Sequence, residues 1–123
     1  MAIYESGEMY LETILMLSNK LEAVRSIDVV REMNFSKPSV SNAMKLLKEE
    51  GYILIDERGY ITLTEEGRAI AEKIYERHTT LTQMFLTLGV SKETAVEDAC
   101  RIEHVISDEA FLAIKNHFSE EIE

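Results

Sequence analysis

Apolar residues recur at helical spacing through the first third of the chain, and capping residues divide the pattern into short elements. The first apolar stripe predicts a helix over residues 5–19. Ser26 precedes a second stripe and is expected to cap a short helix over residues 27–33. A tight turn then leads to a third helix, with Ser36 as its N-cap and Gly51 at its end. A short helix, a turn and a capped helix are typical of a helix-turn-helix.

Alternating apolar positions follow this unit. Residues 52–56 and 60–64 are short β-prone runs, and the intervening Glu57-Arg58-Gly59 favours a hairpin turn. A hairpin directly after a helix-turn-helix occupies the position of the wing in winged helix-turn-helix proteins. The pattern therefore predicts a winged helix-turn-helix.

Helical spacing returns after the hairpin. Thr64 is expected to cap a long helix over residues 65–88, which Gly89 ends. Ser91 is expected to cap a helix over residues 92–106, and Ser107-Asp108 a last helix towards Phe118. The predicted protein is mainly α.

Length and composition limit the organisation of the chain. Its 123 residues suffice for one domain or two small subdomains, but are few for an enzyme cleft with a lid. We expect a DNA-binding domain at residues 1–64, a helical domain at residues 65–123 and no enzymatic activity. The chain has no apolar run of about 18 residues and no secretory signal, which argues against membrane association. A single cysteine fits a reducing, cytoplasmic location.

The net charge of −10 is unevenly distributed. Residues 20–51 carry six basic and five acidic side chains, a balance of +1, whereas residues 91–123 carry three basic and nine acidic side chains, a balance of −6. The predicted helix-turn-helix would therefore repel DNA phosphates less than the acidic C-terminal segment would. The acidic segment is either a solvated surface or a place where divalent cations offset the charge.

The N-terminal turn of the third helix would enter the major groove. There Asn42 could pair with adenine or a phosphate, Pro38 could contact a thymine methyl, and Lys45 could contact a phosphate. The only basic residue of the hairpin, Arg58, promises a weak backbone contact. One such module binds weakly, so we expect a two-fold homodimer on double-stranded operator DNA. The candidate DNA-binding residues are Lys37, Pro38, Ser39, Ser41, Asn42, Lys45 and Arg58.

Residues 100–104 read Cys-Arg-Ile-Glu-His. In a helix, Cys100, Glu103 and His104 share one face, and all three side chains can bind a transition metal. The same residue types also occur as a buried apolar cysteine, a core histidine and a solvated glutamate. Two further interpretations remain open at this point. Cys100 and His104 could act as nucleophile and base or as a thiol redox sensor, or the helical half could bind an organic effector.

The sequence resembles the metal-dependent repressors of the diphtheria toxin repressor and manganese transport regulator family, over nearly the whole chain. The segments that carry the resemblance are Glu8-Met9-Tyr10-Leu11, Ser36-Lys37-Pro38-Ser39-Val40-Ser41, Leu63-Thr64-Glu65-Glu66-Gly67, Arg77-His78 and the run from Ala99 to Glu109. The resemblance implies a winged helix-turn-helix followed by a helical metal-binding and dimerisation domain. Since the chain ends at Glu123, it also implies a short form without the SH3-like domain of longer members.

The metal ligands that the resemblance implies are Met9, Glu12, His78, Cys100, Glu103 and His104. Met9 and Cys100, with Glu103 and His104, match the primary site of the iron-responsive branch. Glu12 stands where the manganese branch has a metal-binding carboxylate, so the chain mixes both patterns. Because Met9 and Cys100 offer sulfur where the manganese pattern has carboxylates, Fe²⁺ is expected in preference to Mn²⁺, with Co²⁺, Ni²⁺ or Zn²⁺ binding in vitro. The ancillary site of the iron-responsive branch is expected to be absent or rebuilt, since its ligand positions hold Thr82 and Val96. A second metal held by Glu12, His78 and Glu103 is an alternative that the resemblance leaves open.

Overall fold

The computed structural model describes the backbone of residues 5–122 and the side chains of residues 5–118. Within that range the chain forms six helices and one β-hairpin. In chain order they are α1 (Glu5–Lys20), α2 (Ser26–Met33), α3 (Lys37–Glu49), β1 (Ile53–Ile55), β2 (Ile61–Leu63), α4 (Glu65–Thr87), α5 (Lys92–Ile102) and α6 (Asp108–Ile122). The predicted mainly α fold with a winged helix-turn-helix is confirmed. The described helices include no stretch with the length and hydropathy that a membrane crossing requires.

The chain divides into an N-terminal unit, Met1–Glu72, and a C-terminal unit, Lys73–Glu123. The division falls within α4. In the N-terminal unit, apolar side chains of the first three helices and the hairpin form one core. Five of them are completely buried: Leu11, Ile14, Val29, Val40 and Ile53. Burial of this kind stabilises the unit by about 1.5–3 kcal/mol for each large side chain.

The turn between α2 and α3 orients the predicted recognition helix. Asn34 ends α2 in the left-handed conformation, with φ of 57°, and its N–H donates to the Val30 carbonyl at 2.8 Å. Ser36 is the N-cap of α3, because its hydroxyl accepts a hydrogen bond from the Ser39 N–H at 3.3 Å. Pro38, in the first turn, lacks an N–H that would be unsatisfied there. The predicted start of this helix is confirmed.

The predicted cap of α2 is wrong by one residue. Ser26 is the first residue of α2, and Arg25 is its N-cap. The Arg25 N–H donates to the Asp28 carboxylate at 2.9 Å. An acceptor three residues into the helix thus satisfies the capping residue, which the serine alone did not reveal.

The hairpin pairs β1 with β2 antiparallel, with Ile53 opposite Leu63 and Ile55 opposite Ile61. At its tip, the Asp56 carboxylate accepts hydrogen bonds from two backbone N–H groups, those of Arg58 and Tyr60, both at 2.9 Å. The Asp56 side chain therefore fixes the turn locally, as expected of an aspartate at the start of a turn.

The hairpin joins α4 through a tight junction. The Thr64 hydroxyl donates to the Gly51 carbonyl at 2.8 Å and accepts from the Gly67 N–H at 3.1 Å, so it caps α4 as predicted. Gly67 lies against the chain, since a Cβ there would stand 2.0 Å from the Tyr52 carbonyl oxygen. Only glycine fits this approach without displacing the backbone.

In the C-terminal unit, α5 ends earlier than predicted. The helix stops at Ile102 rather than at residue 106, and Glu103 is its C-cap. The Val105 N–H donates to the Ile102 carbonyl at 3.0 Å, a contact of i to i+3 type that tightens the chain into a turn. The next helix then begins with the Ser107 hydroxyl accepting from the Ala110 N–H at 3.0 Å. Glu103 and His104 therefore lie in a turn, not on a continuous helix.

Candidate metal centre and DNA-binding surface

Three side chains with metal-binding atoms converge in the C-terminal unit. His78 lies on α4, Cys100 in the last turn of α5, and Glu103 at the end of that helix. His78 Nδ1 is 3.0 Å from Glu103 Oε2 and 3.8 Å from Cys100 Sγ. One ligand atom from each residue lies within 4.8 Å of the other two. The cluster offers nitrogen, sulfur and oxygen together.

Glu103 is the centre of this cluster. Its side chain is 1% exposed, and its two carboxylate oxygens face different imidazoles: Oε2 faces His78 and Oε1 lies 3.3 Å from His104 Nε2. Burial is the largest single influence and raises the pKa of Glu103, but the hydrogen bonds and charges of His104 and His78 together hold the pKa below its ordinary value. The carboxylate is therefore ionised at neutral pH, the form that binds a metal.

The spacing of the donor atoms fits a first-row transition ion. Atoms bound at about 2.0–2.3 Å to one ion stand about 3–4.5 Å apart, depending on the coordination angle. The separations of 3.0 and 3.8 Å that His78 Nδ1 makes fall in this interval. A buried anion with imidazole and thiol groups around it is also the donor chemistry that such ions prefer over Ca²⁺ or Mg²⁺.

The grouping within the unit differs from the one that the resemblance implies. There Cys100 and Glu103 share a site with His104, whereas here Cys100 lies beside His78, and His104 contacts the other oxygen of Glu103. The difference arises because His78, on α4, comes within 3.0 Å of Glu103 Oε2 and 3.8 Å of Cys100 Sγ. Glu103 is common to both groupings.

The two remaining predicted ligands lie on α1 in the N-terminal unit. Met9 and Glu12 are three residues apart and therefore share one helix face. Met9 is half-buried, and Glu12 is 9% exposed. A buried glutamate requires neighbouring groups that compensate its charge.

The predicted DNA-binding side chains lie on α3 and on the hairpin of the N-terminal unit. Asn42 and Lys45 lie on the outer face of α3, opposite Val40 and Met44, which are buried. Ser39 also has a structural role, because its hydroxyl accepts a hydrogen bond from the Ser36 hydroxyl at 2.8 Å. All seven predicted residues are exposed: Lys37, Pro38, Ser39, Ser41, Asn42, Lys45 and Arg58.

Sequence reasoning did not assign a role to Arg77. In the sequence it stands out only as part of the Arg77-His78 pair that carries the resemblance. In the structure it is 6% exposed and donates to the carbonyls of Glu103, at 3.1 Å, and of Ile106, at 2.8 Å. An arginine at an apolar position next to a candidate ligand was the available signal, since buried arginines are rare unless paired.

Comparison with known families gives two matches that together cover most of the chain. Residues 2–60 match the N-terminal DNA-binding domain of iron-dependent repressors. Residues 64–120 match the metal-binding and dimerisation domain of the same repressors.

Individual proteins agree with these matches. An uncharacterised HTH-type transcriptional regulator of Methanocaldococcus jannaschii is 35% identical over 114 residues, 90% of each chain. The transcriptional regulator MntR of Salmonella typhimurium is 36% identical over 107 residues, 85% of this chain and 68% of its own length. The solved structure of the manganese regulator SloR has a TM-score of 0.82 and 26% identity, and covers 97% of this chain. This chain spans about half, 55%, of that structure.

Proposed function

Because the chain belongs to the iron-dependent repressor family of metal-dependent transcriptional regulators, we propose that it represses transcription as a homodimer on operator DNA, with Fe²⁺ preferred over Mn²⁺. The cluster of His78, Cys100 and Glu103 is the observation that carries the metal dependence. The exposed face of α3 carries the DNA contact.

The DNA contact divides into base readout and backbone attachment. Asn42 is placed to read an adenine edge, and Ser41 a base edge or a phosphate. Lys37 and Lys45 neutralise phosphates, so binding should weaken as salt rises. The hairpin adds little, because Arg58 has two acidic residues, Asp56 and Glu57, before it.

In the C-terminal unit, His78, Cys100 and Glu103 would hold the ion, with His104 on the second oxygen of Glu103. The bound ion would supply positive charge to the buried carboxylate and a fixed point of attachment for its ligands. A thiolate and an imidazole are softer donors than the carboxylates and carbonyls that suit Mn²⁺. This donor set is the reason for preferring Fe²⁺.

Met9 and Glu12 would complete the ligand set from α1. Their role would be to couple the DNA-binding unit to the metal-binding unit, so that ligand binding selects one arrangement of the two. If that arrangement alone spaces the recognition helices of a dimer by about one DNA turn, metal raises operator affinity by population shift.

A homodimer is supported by apolar surface in the C-terminal unit. Five large apolar side chains among the described residues of this unit are exposed, namely Tyr75, Leu86, Leu88, Val105 and Leu112. The matched family domain is one of metal binding and dimerisation. Exposed apolar side chains favour association where they form a contiguous patch.

The test is DNA binding titrated with metal. A duplex is first selected from a random-sequence library by the protein with Mn²⁺ or, anaerobically, Fe²⁺. Fluorescence anisotropy of that duplex then gives the affinity with each metal and with chelator. We expect metal to raise the affinity at least about tenfold, equal to about 1.4 kcal/mol, and half-saturation at a lower Fe²⁺ than Mn²⁺ concentration.

Glu103→Gln is the matched variant, because glutamine keeps the size of the side chain and removes its charge. It should retain chelator-insensitive, weak DNA binding while losing the response to metal. An affinity of the native protein that chelator leaves unchanged would refute the metal dependence and favour an organic or thiol-redox effector. Light scattering at working concentrations checks the dimer separately.

A further inference from the structure

Arg77 holds the turn that carries two of the candidate ligands. Its guanidinium Nη1 donates to the carbonyl of Glu103 at 3.1 Å and to that of Ile106 at 2.8 Å. Its Nη2 pairs with the Asp108 carboxylate at the start of α6. One side chain of α4 is therefore bonded to both ends of the turn between α5 and α6.

These carbonyls need such a donor. The last carbonyls of a helix lack partners within it, and residues 103–106 follow the end of α5 without continuing the helix. Among the described residues, Arg77 donates two N–H groups to these carbonyls, and no main-chain N–H is recorded as bound to either. The contact also has a cost, because the Arg77 side chain is 7% exposed and its Nε is buried without a partner among the described residues.

Two neighbouring residues of α4 bind the backbone and the side chain of Glu103. Arg77 binds the Glu103 carbonyl, and the next residue, His78, binds its carboxylate at 3.0 Å. The backbone that bears His104 lies between the two carbonyls that Arg77 binds. The position of the Glu103 carboxylate relative to His78 and Cys100 thus depends on the Arg77 bonds.

We propose that Arg77 is a positioning residue for the metal centre, acting through the Glu103–Ile106 turn. This inference rests on the proposed metal-binding function. Without the Arg77 bonds, the turn would be free to move, and the ligands would be ordered only when metal binds. Partners that orient metal ligands from outside the site typically change metal affinity by about 10- to 100-fold.

The experiment uses Co²⁺ as probe, with the full chain and two variants of Arg77. Arg77→Met keeps an unbranched, flexible side chain and removes its donors, and Arg77→Lys keeps the charge and one donor group. Arg68→Met is the control, because Arg68 lies on the same helix with its side chain 51% exposed. The readouts are the Co²⁺ dissociation constant, the cobalt absorption bands that report coordination geometry, and the circular dichroism of the metal-free protein.

We expect Arg77→Met to bind Co²⁺ about 10- to 100-fold more weakly, with altered absorption bands and native helicity. Arg77→Lys should lie between Arg77→Met and the native protein, and Arg68→Met should match the native protein. Native affinity and bands in either Arg77 variant would overturn the proposal. If Arg77→Met does not fold, Arg77→Lys decides, and if neither folds, Arg77 is a folding determinant and the positioning role is overturned. A native protein that fails to bind Co²⁺ would instead refute the metal site itself.

Discussion

Gly67→Ala tests the junction between the hairpin and α4, because two physical effects predict opposite changes in the stability of the protein. Helix propensity alone predicts that alanine inside a helix stabilises the protein by about 1 kcal/mol relative to glycine. The structure predicts the reverse. A Cβ at residue 67 would stand 2.0 Å from the Tyr52 oxygen and 2.9 Å from the Tyr52 carbonyl carbon.

The size of the stability change depends on how far the two backbone segments must separate. An ordinary contact requires the two backbone segments to separate by roughly 1 Å or more, and forced overpacking of this kind costs about 1–3 kcal/mol. The movement also strains the cap that Thr64 provides, in which its hydroxyl binds the Gly67 N–H at 3.1 Å, and loss of a cap costs about 1 kcal/mol. After subtracting the propensity gain, the variant should be less stable by about 1–3 kcal/mol.

Urea unfolding of the metal-free protein, followed by circular dichroism, measures the change. Ala69→Gly provides the calibration, because Ala69 is an exposed position of the same helix where propensity alone should act. That variant should lose about 1 kcal/mol. An increase in the free energy of unfolding for Gly67→Ala would show that the junction opens without strain, and the assigned role of Gly67 would be wrong.

Three further predictions concern metal choice, DNA contact and pH. Cys100→Asp should shift the ratio of Fe²⁺ to Mn²⁺ affinity towards Mn²⁺ by about tenfold or more in anaerobic competition titrations, because a hard oxygen donor replaces sulfur. An unchanged ratio would contradict the assignment of the Cys100 thiolate as a metal ligand. Lys45→Ala should weaken binding to all duplexes alike and reduce the slope of log affinity against log salt by about 1. Asn42→Ala should instead cost about 1–3 kcal/mol of binding free energy on the selected duplex and leave the slope unchanged. Identical salt slopes in the two variants would exclude separate roles for the two residues. The Asp108 pKa lies below its ordinary value, chiefly because of the hydrogen bond and charge of Lys73. Its contribution to stability is therefore present at neutral pH and is lost on acidification through the lowered folded-state value, so the difference in urea midpoint between native protein and Asp108→Asn should hold from pH 7 to about pH 5 and vanish towards about pH 2. A difference that persists in acid would contradict this.

Local signals in the sequence predicted most of the element boundaries. Ser36, Thr64 and Ser91 act as the N-caps of α3, α4 and α5, as predicted. Gly89, with φ of 94°, follows the end of α4, which stops at Thr87, one residue before the predicted end. These features depend on a few neighbouring residues, so the sequence alone contains them. The resemblance to metal-dependent repressors, read from longer motifs, is confirmed by the family matches.

The candidate site was less predictable because it depends on contacts distant in sequence. The spacing of Cys100, Glu103 and His104 predicted a shared helix face on the assumption that α5 continues through these residues. The chain instead turns after Ile102, where Arg77, 26 residues before Glu103, binds the turn. The apolar pattern contains no information on that donor, so neither the early helix end nor the proximity of His78 to Cys100 followed from periodicity.

The two-sided environment of Glu103 has a consequence for how this protein could diverge. Any replacement at residue 103 alters the surroundings of both His78 and His104 at once, because each imidazole contacts a different oxygen of the same carboxylate. Cys100, in contrast, is exposed and reaches the cluster from the end of α5. If Cys100 and Glu103 ligate the metal as proposed, single substitutions at residue 100 can change the metal preference while Glu103 keeps its contacts with both imidazoles.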